Sequence, residues 1–154
     1  MSNQKIEALI NEVLKGGSRK NALDFVAYLH DNEMIVGENH SEVSYNGESI
    51  CYMHIDGSDQ APGPWTIWSD DNAIYEHGDA SLDEHTKEIA WARANVCGSC
   101  GGDCSPGKHK TIFDKEFDNI CSSTFMFTNP DAETLECVKK LLAMRKKAMR
   151  KSNA

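Results

Sequence analysis

The sequence predicts an α+β domain on three observations: helices and strands are mixed without a regular strand–helix repeat, two helical stretches open the chain, and a strand followed by a basic amphipathic helix closes it. The sheet is expected to be mixed or antiparallel, with N-terminal helices on one side of it in sequence and a central helix between its strands. With 154 residues the chain has room for one ordinary core, so residues 1–154 are expected to form a single domain.

Each element has its own signal. Ile6, Leu9, Ile10, Val13 and Leu14 recur at helical spacing until Gly16-Gly17 stops the run. A second helix is predicted from about Ala22 to His30, with Ala22, Phe25, Val26 and Leu29 as its apolar stripe. Residues 50–55 mix β-branched, aromatic and sulfur side chains, with Ile50, Tyr52 and His54 on one face and Cys51, Met53 and Ile55 on the other. That predicts a strand buried on both faces or nearly so. Trp65 to Trp68, between the turn formers Gly57, Pro62, Gly63 and Pro64 and the run Ser69-Asp70-Asp71, reads as the returning arm of a hairpin. Ala73, Ile74 and Tyr75 suggest a short further strand.

Ser81 with Glu84 three positions on forms a capping-box pattern, which starts a central helix whose inward stripe is Leu82, Ile89, Ala92 and Val96 and which runs into Cys97. Ser123 to Thr128 predicts the last strand. Asn129 as cap, Pro130 at the first helical position, and Asp131 and Glu133 in the first turn then start a helix with Leu135, Val138, Leu142 and Met149 on one side. This closing segment, FMFTNPDAETLECVKKLLAMRKK, resembles the ends of small bacterial α+β domains. The resemblance implies the fold class and attaches no activity to any residue.

Composition excludes several classes. An apolar share of 40% with 26% charged residues is enough to close a core and rules out wholesale disorder. No stretch approaches the roughly 20 apolar residues of a membrane span, and the first residues are amphipathic with acids, unlike a secretion signal. Six cysteines without such a signal point to reduced thiols and a cytoplasmic protein. Formal net charge is −8, yet residues 139–151 hold seven of the sixteen basic residues and no acid. A cationic tail on an anionic body argues against nucleic acid as the main partner, and the basic residues are expected to coat the wet side of the last helix.

The chemistry lies in the run Cys-Gly-Ser-Cys-Gly-Gly-Asp-Cys at residues 97–104. Thiolates about 2.3 Å from a common Zn²⁺ need a backbone that wraps the ion, and glycines permit it. Cys97, Cys100 and Cys104 are therefore expected as local metal ligands, with Cys121 as the fourth and His109 as its competitor. Zinc is the expected metal. An iron–sulfur cluster uses the same ligands, and the spacing does not choose between them. A second alternative is an oxidoreductase, because Cys97-Gly-Ser-Cys100 resembles the active-site dithiol of thioredoxins; there the reactive thiol sits at a helix N-terminus, whereas Cys97 is expected to follow a helix C-terminus. Thiols that are merely buried are the third.

Other patterns carry less. Gly102 to His109 nearly matches a phosphate-binding loop but has His109 where Ser or Thr should stand, and it follows a predicted helix rather than a strand. His85 shares the face of Leu82 and Ile89, where a half-buried imidazole with one hydrogen bond is the plain reading. No HExxH motif, nucleophile elbow or serine triad is present. The aromatics Tyr52, Trp65, Trp68, Tyr75 and Trp91 are candidate ligand-binding residues, with core packing as the default for Tyr52, Trp65 and Trp68. Trp91 projects away from Leu82 and Ile89, so it should cover the cysteine loop, meet a partner or lie exposed. A pocket rimmed by Asp70, Asp71 and Glu76 would favour a cationic or amine-bearing ligand. Together these observations predict a metal-stabilised binding or regulatory domain whose partner is a small molecule or a protein.

Overall fold

A computed structural model describes residues 2–37, 41–56, 64–80, 82–97 and 107–152. Among these, the chain forms helices α1 (Ser2–Val13), α2 (Gly16–Asp31), α3 (Glu84–Ala92) and α4 (Ala132–Ser152). It also forms strands β1 (Met34–Val36), β2 (Glu42–Tyr45), β3 (Glu48–Ile55), β4 (Trp65–Ser69), β5 (Ala94–Val96), β6 (Lys108–Ile112) and β7 (Lys115–Thr128). The strands make one antiparallel sheet in the order β1-β2-β3-β4-β7-β5, with β6 also paired to β7. The α+β class and the antiparallel option both hold.

Register decides which side chains meet the helices. Cys51↔Ser69, Met53↔Ile67↔Phe127 and Ile55↔Trp65 lie on one face of the sheet, because side chains alternate with period two. Against that face pack α1, α2 and α4: Ile6, Ile10, Phe25, Val26, Leu29, Leu135, Val138 and Leu142 are all buried. Trp65 is fully buried with its ring 6.0 Å from that of Phe25. The opposite face carries Tyr52↔Trp68↔Met126 and His54↔Thr66↔Thr128, where Tyr52, Trp68 and Met126 are half-buried and His54 is exposed. The predicted two-sided burial of residues 50–55 is thus complete on one face only.

Several elements differ from expectation for local reasons. The second helix starts at Gly16, six residues early, because Gly16 takes φ +55 and Arg19 reaches back to donate to the Leu14 and Asn11 carbonyls. Those carbonyls are among the unpaired groups at the end of α1, so one arginine satisfies the first helix while sitting in the second. The central helix is shorter than predicted. Ser81 lies outside the described residues, and the cap is Asp83, whose carboxylate accepts from the Thr86 N–H at 2.8 Å and is lowered to about 2 by its hydrogen bonds from Thr86. After Ala92 the chain turns into β5, so Val96 is an exposed edge residue rather than an inward helical one, and Cys97 follows a strand. Ala73 to Tyr75, expected as a short strand, instead lie in a 3-10 turn (Ala73–Glu76) capped by Asn72, which accepts from the Ile74 N–H.

The last helix is capped two residues later than predicted. Asp131 accepts from the Thr134 N–H at 2.8 Å, while Asn129 adopts φ 43 and donates its N–H to the Trp65 carbonyl. Asn129 therefore ends β7 instead of starting α4. The basic residues of α4 are not confined to its wet side. Lys139 pairs with Asp24 at 2.7 Å over the Tyr28 ring, Lys146 lies over the Tyr45 ring, and Arg145 is buried. Long cationic side chains here bind the helix to its neighbours with their stems as well as their heads.

The hairpin β6–β7 was not foreseen. Its two central residues, Phe113 (φ 47) and Asp114 (φ 69), take the left-handed conformation of a type I′ turn without the Asn-Gly pair that usually marks one. A bulky residue there is strained. The strain is held by packing and pairing: Phe113 is 2% exposed and stacks on Phe125, its N–H donates to the Tyr75 carbonyl, and the Asp114 N–H donates to the Glu76 carbonyl. At the other end of β6, a Cβ on Gly107 would stand 2.5 Å from the Asn119 backbone, so only glycine lets β6 begin against β7.

Candidate functional site

β7 is fourteen residues long, far longer than any strand beside it. Along one edge, β4 pairs with residues 126–128 and β6 with residues 115–120, and among the described residues no strand pairs on that edge with residues 122–125 between them. Backbone groups in such a gap must find other partners. Ser69 accepts the Phe125 N–H on its hydroxyl at 2.9 Å, and Lys110 donates to the Cys121 carbonyl at 3.0 Å.

Above this gap lies a cleft of about 380 Å³. One wall is the end of β4 and the 3-10 turn, bringing Asp71, Asn72, Ala73 and Glu76; the other is β6, bringing Lys108, His109, Lys110 and Thr111. Tyr75 and Thr124, both 2% exposed, form the floor. The volume lies at the lower end of the range for small-ligand sites.

Three interactions fix the cleft. Lys110 donates to Asp71 (3.1 Å), Cys121 O (3.0 Å) and Thr124 Oγ1 (3.3 Å), so every proton of its ammonium has an acceptor. It is a strut across the floor. Tyr75 donates its hydroxyl to Asp70 at 2.9 Å, and Arg145 grips the same carboxylate through Nε (3.2 and 3.1 Å) and Nη2 (2.6 Å). Arg145 and Asp70 are only 7% and 15% exposed, so this pair ties α4 to the end of β4 largely shielded from water. Burial and the Asp70 carboxylate push the Tyr75 hydroxyl well above its usual range, which leaves it a neutral donor.

Histidine–carboxylate pairs edge the β6–β7 hairpin. His77 Nδ1 lies 2.6 Å from Asp114, and His109 contacts Asp118 at 2.7 Å and Glu116 at 3.5 Å. Both imidazoles are raised above 6.5, His77 by the hydrogen bond and then the charge of Asp114, His109 first by the hydrogen bond to Asp118. A raised folded-state value stabilises the fold fully below about 6.5 and loses that contribution as pH rises through the raised value. An NMR titration is expected to place both midpoints above 6.5, and Asp114→Asn to return His77 to the ordinary range; an unmoved His77 midpoint in that variant would assign the shift to something other than Asp114.

The predicted metal centre requires correction. Cys100 and Cys104 lie outside the described residues. Among the described residues, no group of three or more His, Cys, Asp or Glu side chains gathers in a way that could hold a metal ion. Cys97 leaves a strand with its N–H bonded to Asn119 O at 2.7 Å, Cys121 sits within β7 with its carbonyl held by Lys110, and His109 faces Asp118 and Glu116. A zinc or iron–sulfur reading needs several thiolates converging on one point, and the described residues show no such gathering. The dithiol alternative depends on Cys100, which lies outside the described residues. Cys51 and Cys137 are buried, and burial pushes both thiols up, Cys137 to about 12.

The aromatic candidates scatter. Trp65 packs in the core, Tyr52 and Trp68 are cross-strand neighbours on the sheet face away from the helices, and Trp91 donates to the Ile112 carbonyl at 2.7 Å with Lys115 over its ring. Only Tyr75 reaches the cleft. Of the acids expected at a pocket rim, Asp71 and Glu76 are there, while Asp70 is spent on Arg145 and Tyr75. His85 is exposed and pairs with Glu133 at 2.8 Å. Of the β6 wall, the sequence pattern singles out only His109, and it marks no cleft role for Lys110, Thr111, Thr124 or Arg145. Their only signal was the polar stretch before Ile112, which hides its strand character because one side of it faces solvent. No helix among the described residues is long and apolar enough to cross a membrane. Compared with protein-family models, with curated proteins and with solved structures, the chain matches none.

Proposed function

We propose that the chain is a binding domain for a small polar molecule, seated in the cleft between β6 and the 3-10 turn. The supporting observation is the break in strand pairing on β7, which opens about 380 Å³ over a floor of Tyr75 and Thr124 that two independent networks hold in place. A floor already satisfied needs no rearrangement when a ligand arrives, which lowers the ordering cost of binding. The walls supply hydroxyl, amide and charged groups, so the ligand is polar rather than lipid-like.

Titrating ¹⁵N-labelled protein with pools of small polar metabolites tests this directly. The amides of Glu76, Thr111 and Thr124 are expected to shift together, and Ala73→Trp, which places a large ring from an exposed wall position across the opening, is expected to abolish the shifts while leaving melting temperature within a few degrees. Shifts confined to the Tyr52–Trp68–Met126 face, or unchanged binding in Ala73→Trp, would refute the cleft as the site.

A further inference from the structure

The two walls of the cleft differ in charge, and most of that charge is already neutralised inside the molecule. Lys110 pairs with Asp71, and His109 with Asp118 and Glu116. Two charged groups are left over, Glu76 on the 3-10 turn and Lys108 on β6; both are exposed, and neither forms an ion pair among the described residues. They stand at opposite ends of the cleft. Glu76 is set beside the β6–β7 turn by the Asp114 N–H bond to its carbonyl, whereas Lys108 begins β6 against Ile120. The five residues of β6 between them span about 13 Å at a strand's rise of roughly 3.3 Å per residue.

We infer that the ligand of this cleft is an elongated zwitterion of about tripeptide length, lying along β6 with its ammonium end at Glu76 and its carboxylate end at Lys108. The inference rests on the cleft being the binding site. A tripeptide extends about 10 Å, and the flexible arms of Glu76 and Lys108 close the remaining gap. A purely anionic ligand would meet the uncompensated Glu76 carboxylate, and a purely cationic one would meet Lys108. With its amino terminus at the turn end, such a peptide runs antiparallel to β6, and the neutral Asp71–Lys110 pair lies beneath its middle, where an uncharged backbone belongs.

The test uses trialanine, its N-acetyl form, its C-amide form, the doubly capped form, and a neutral polyol, each titrated into the ¹⁵N-labelled full chain. Trialanine is expected to shift the Glu76, Thr111 and Thr124 amides. Because exposed ion pairs contribute little each, capping either end is expected to weaken binding only about threefold, and capping both about tenfold. Glu76→Gln should erase the effect of acetylation and leave that of amidation, and Lys108→Met the reverse. Equal binding of capped and free peptide, or cleft shifts caused by the polyol but not by trialanine, would overturn the zwitterion while sparing the cleft. No cleft shift with any probe, metabolite pools included, would overturn both.

Discussion

Replacing Arg145 by methionine is expected to cost about 3–5 kcal/mol of folding stability, lowering the melting temperature by roughly 10 °C. The guanidinium makes three contacts of 3.2 Å or less with Asp70, and the pair is almost closed off from water. Methionine keeps the stem and its packing but leaves the Asp70 carboxylate with one hydroxyl, that of Tyr75, against the penalty of a buried charge. The double variant Arg145→Met/Asp70→Asn should recover most of the loss, because both charges are gone and the asparagine oxygen still accepts from the Tyr75 hydroxyl. Chemical denaturation of the two single variants and the double variant gives the coupling. A single-variant loss below about 1 kcal/mol would show that the pair behaves as an ordinary surface contact.

Phe125→Ala is expected to cost about 3–5 kcal/mol. Phe125 is fully buried and is the common partner of three rings, with Tyr75 edge-on at 5.2 Å and Phe113 and Phe127 stacked at 5.9 Å. Removing it takes support from Phe113, whose left-handed backbone depends on that packing, and from Tyr75 in the cleft floor. Denaturation should therefore be accompanied by changed amide shifts at Asp114 and Glu76 in the folded variant, beyond those near residue 125 itself. A loss confined to stability, with the β6–β7 turn unperturbed, would show that the turn is held by its own hydrogen bonds.

Much of the architecture was legible because its signals are short-range. The stripe of α1 and the apolar strip of α4 follow from helical spacing alone, and Leu135, Val138, Leu142 and Met149 are all buried as that spacing requires. The hairpin of β3 and β4 was equally plain, since residues 50–55 and Trp65–Trp68 are dense in strand-forming side chains. Illegible stretches were those where a local rule is overridden by a partner far along the chain. Phe113-Asp114 forms a tight turn against its own preferences because Tyr75, Glu76 and Phe125 hold it there. Ala73, Ile74 and Tyr75 give up a strand for a 3-10 turn that bonds to that same hairpin.

The cleft shows the division most clearly. Asp71, Tyr75 and Glu76 could be suspected from sequence, being polar or amphipathic residues after a strand. Lys108, Lys110, Thr111 and Thr124 could not, since nothing local says that β4 and β6 stop short of one another on the same edge of β7. The cysteine run carried the loudest local pattern, yet of its three cysteines only Cys97 is among the described residues, where its N–H bonds to the Asn119 carbonyl, while Cys121 lies within β7.

The sequence by itself determined the α+β class, the apolar faces of its helices and the pairing of its central hairpin, because periodicity and turn residues act over a few positions. Only the tertiary structure decided that Arg145 would be buried, that β7 would outrun its neighbours, and that a polar cleft would open where they end. Those outcomes depend on contacts such as Arg145 with Asp70, seventy-five residues apart, and the energy of such a contact is written in neither segment alone.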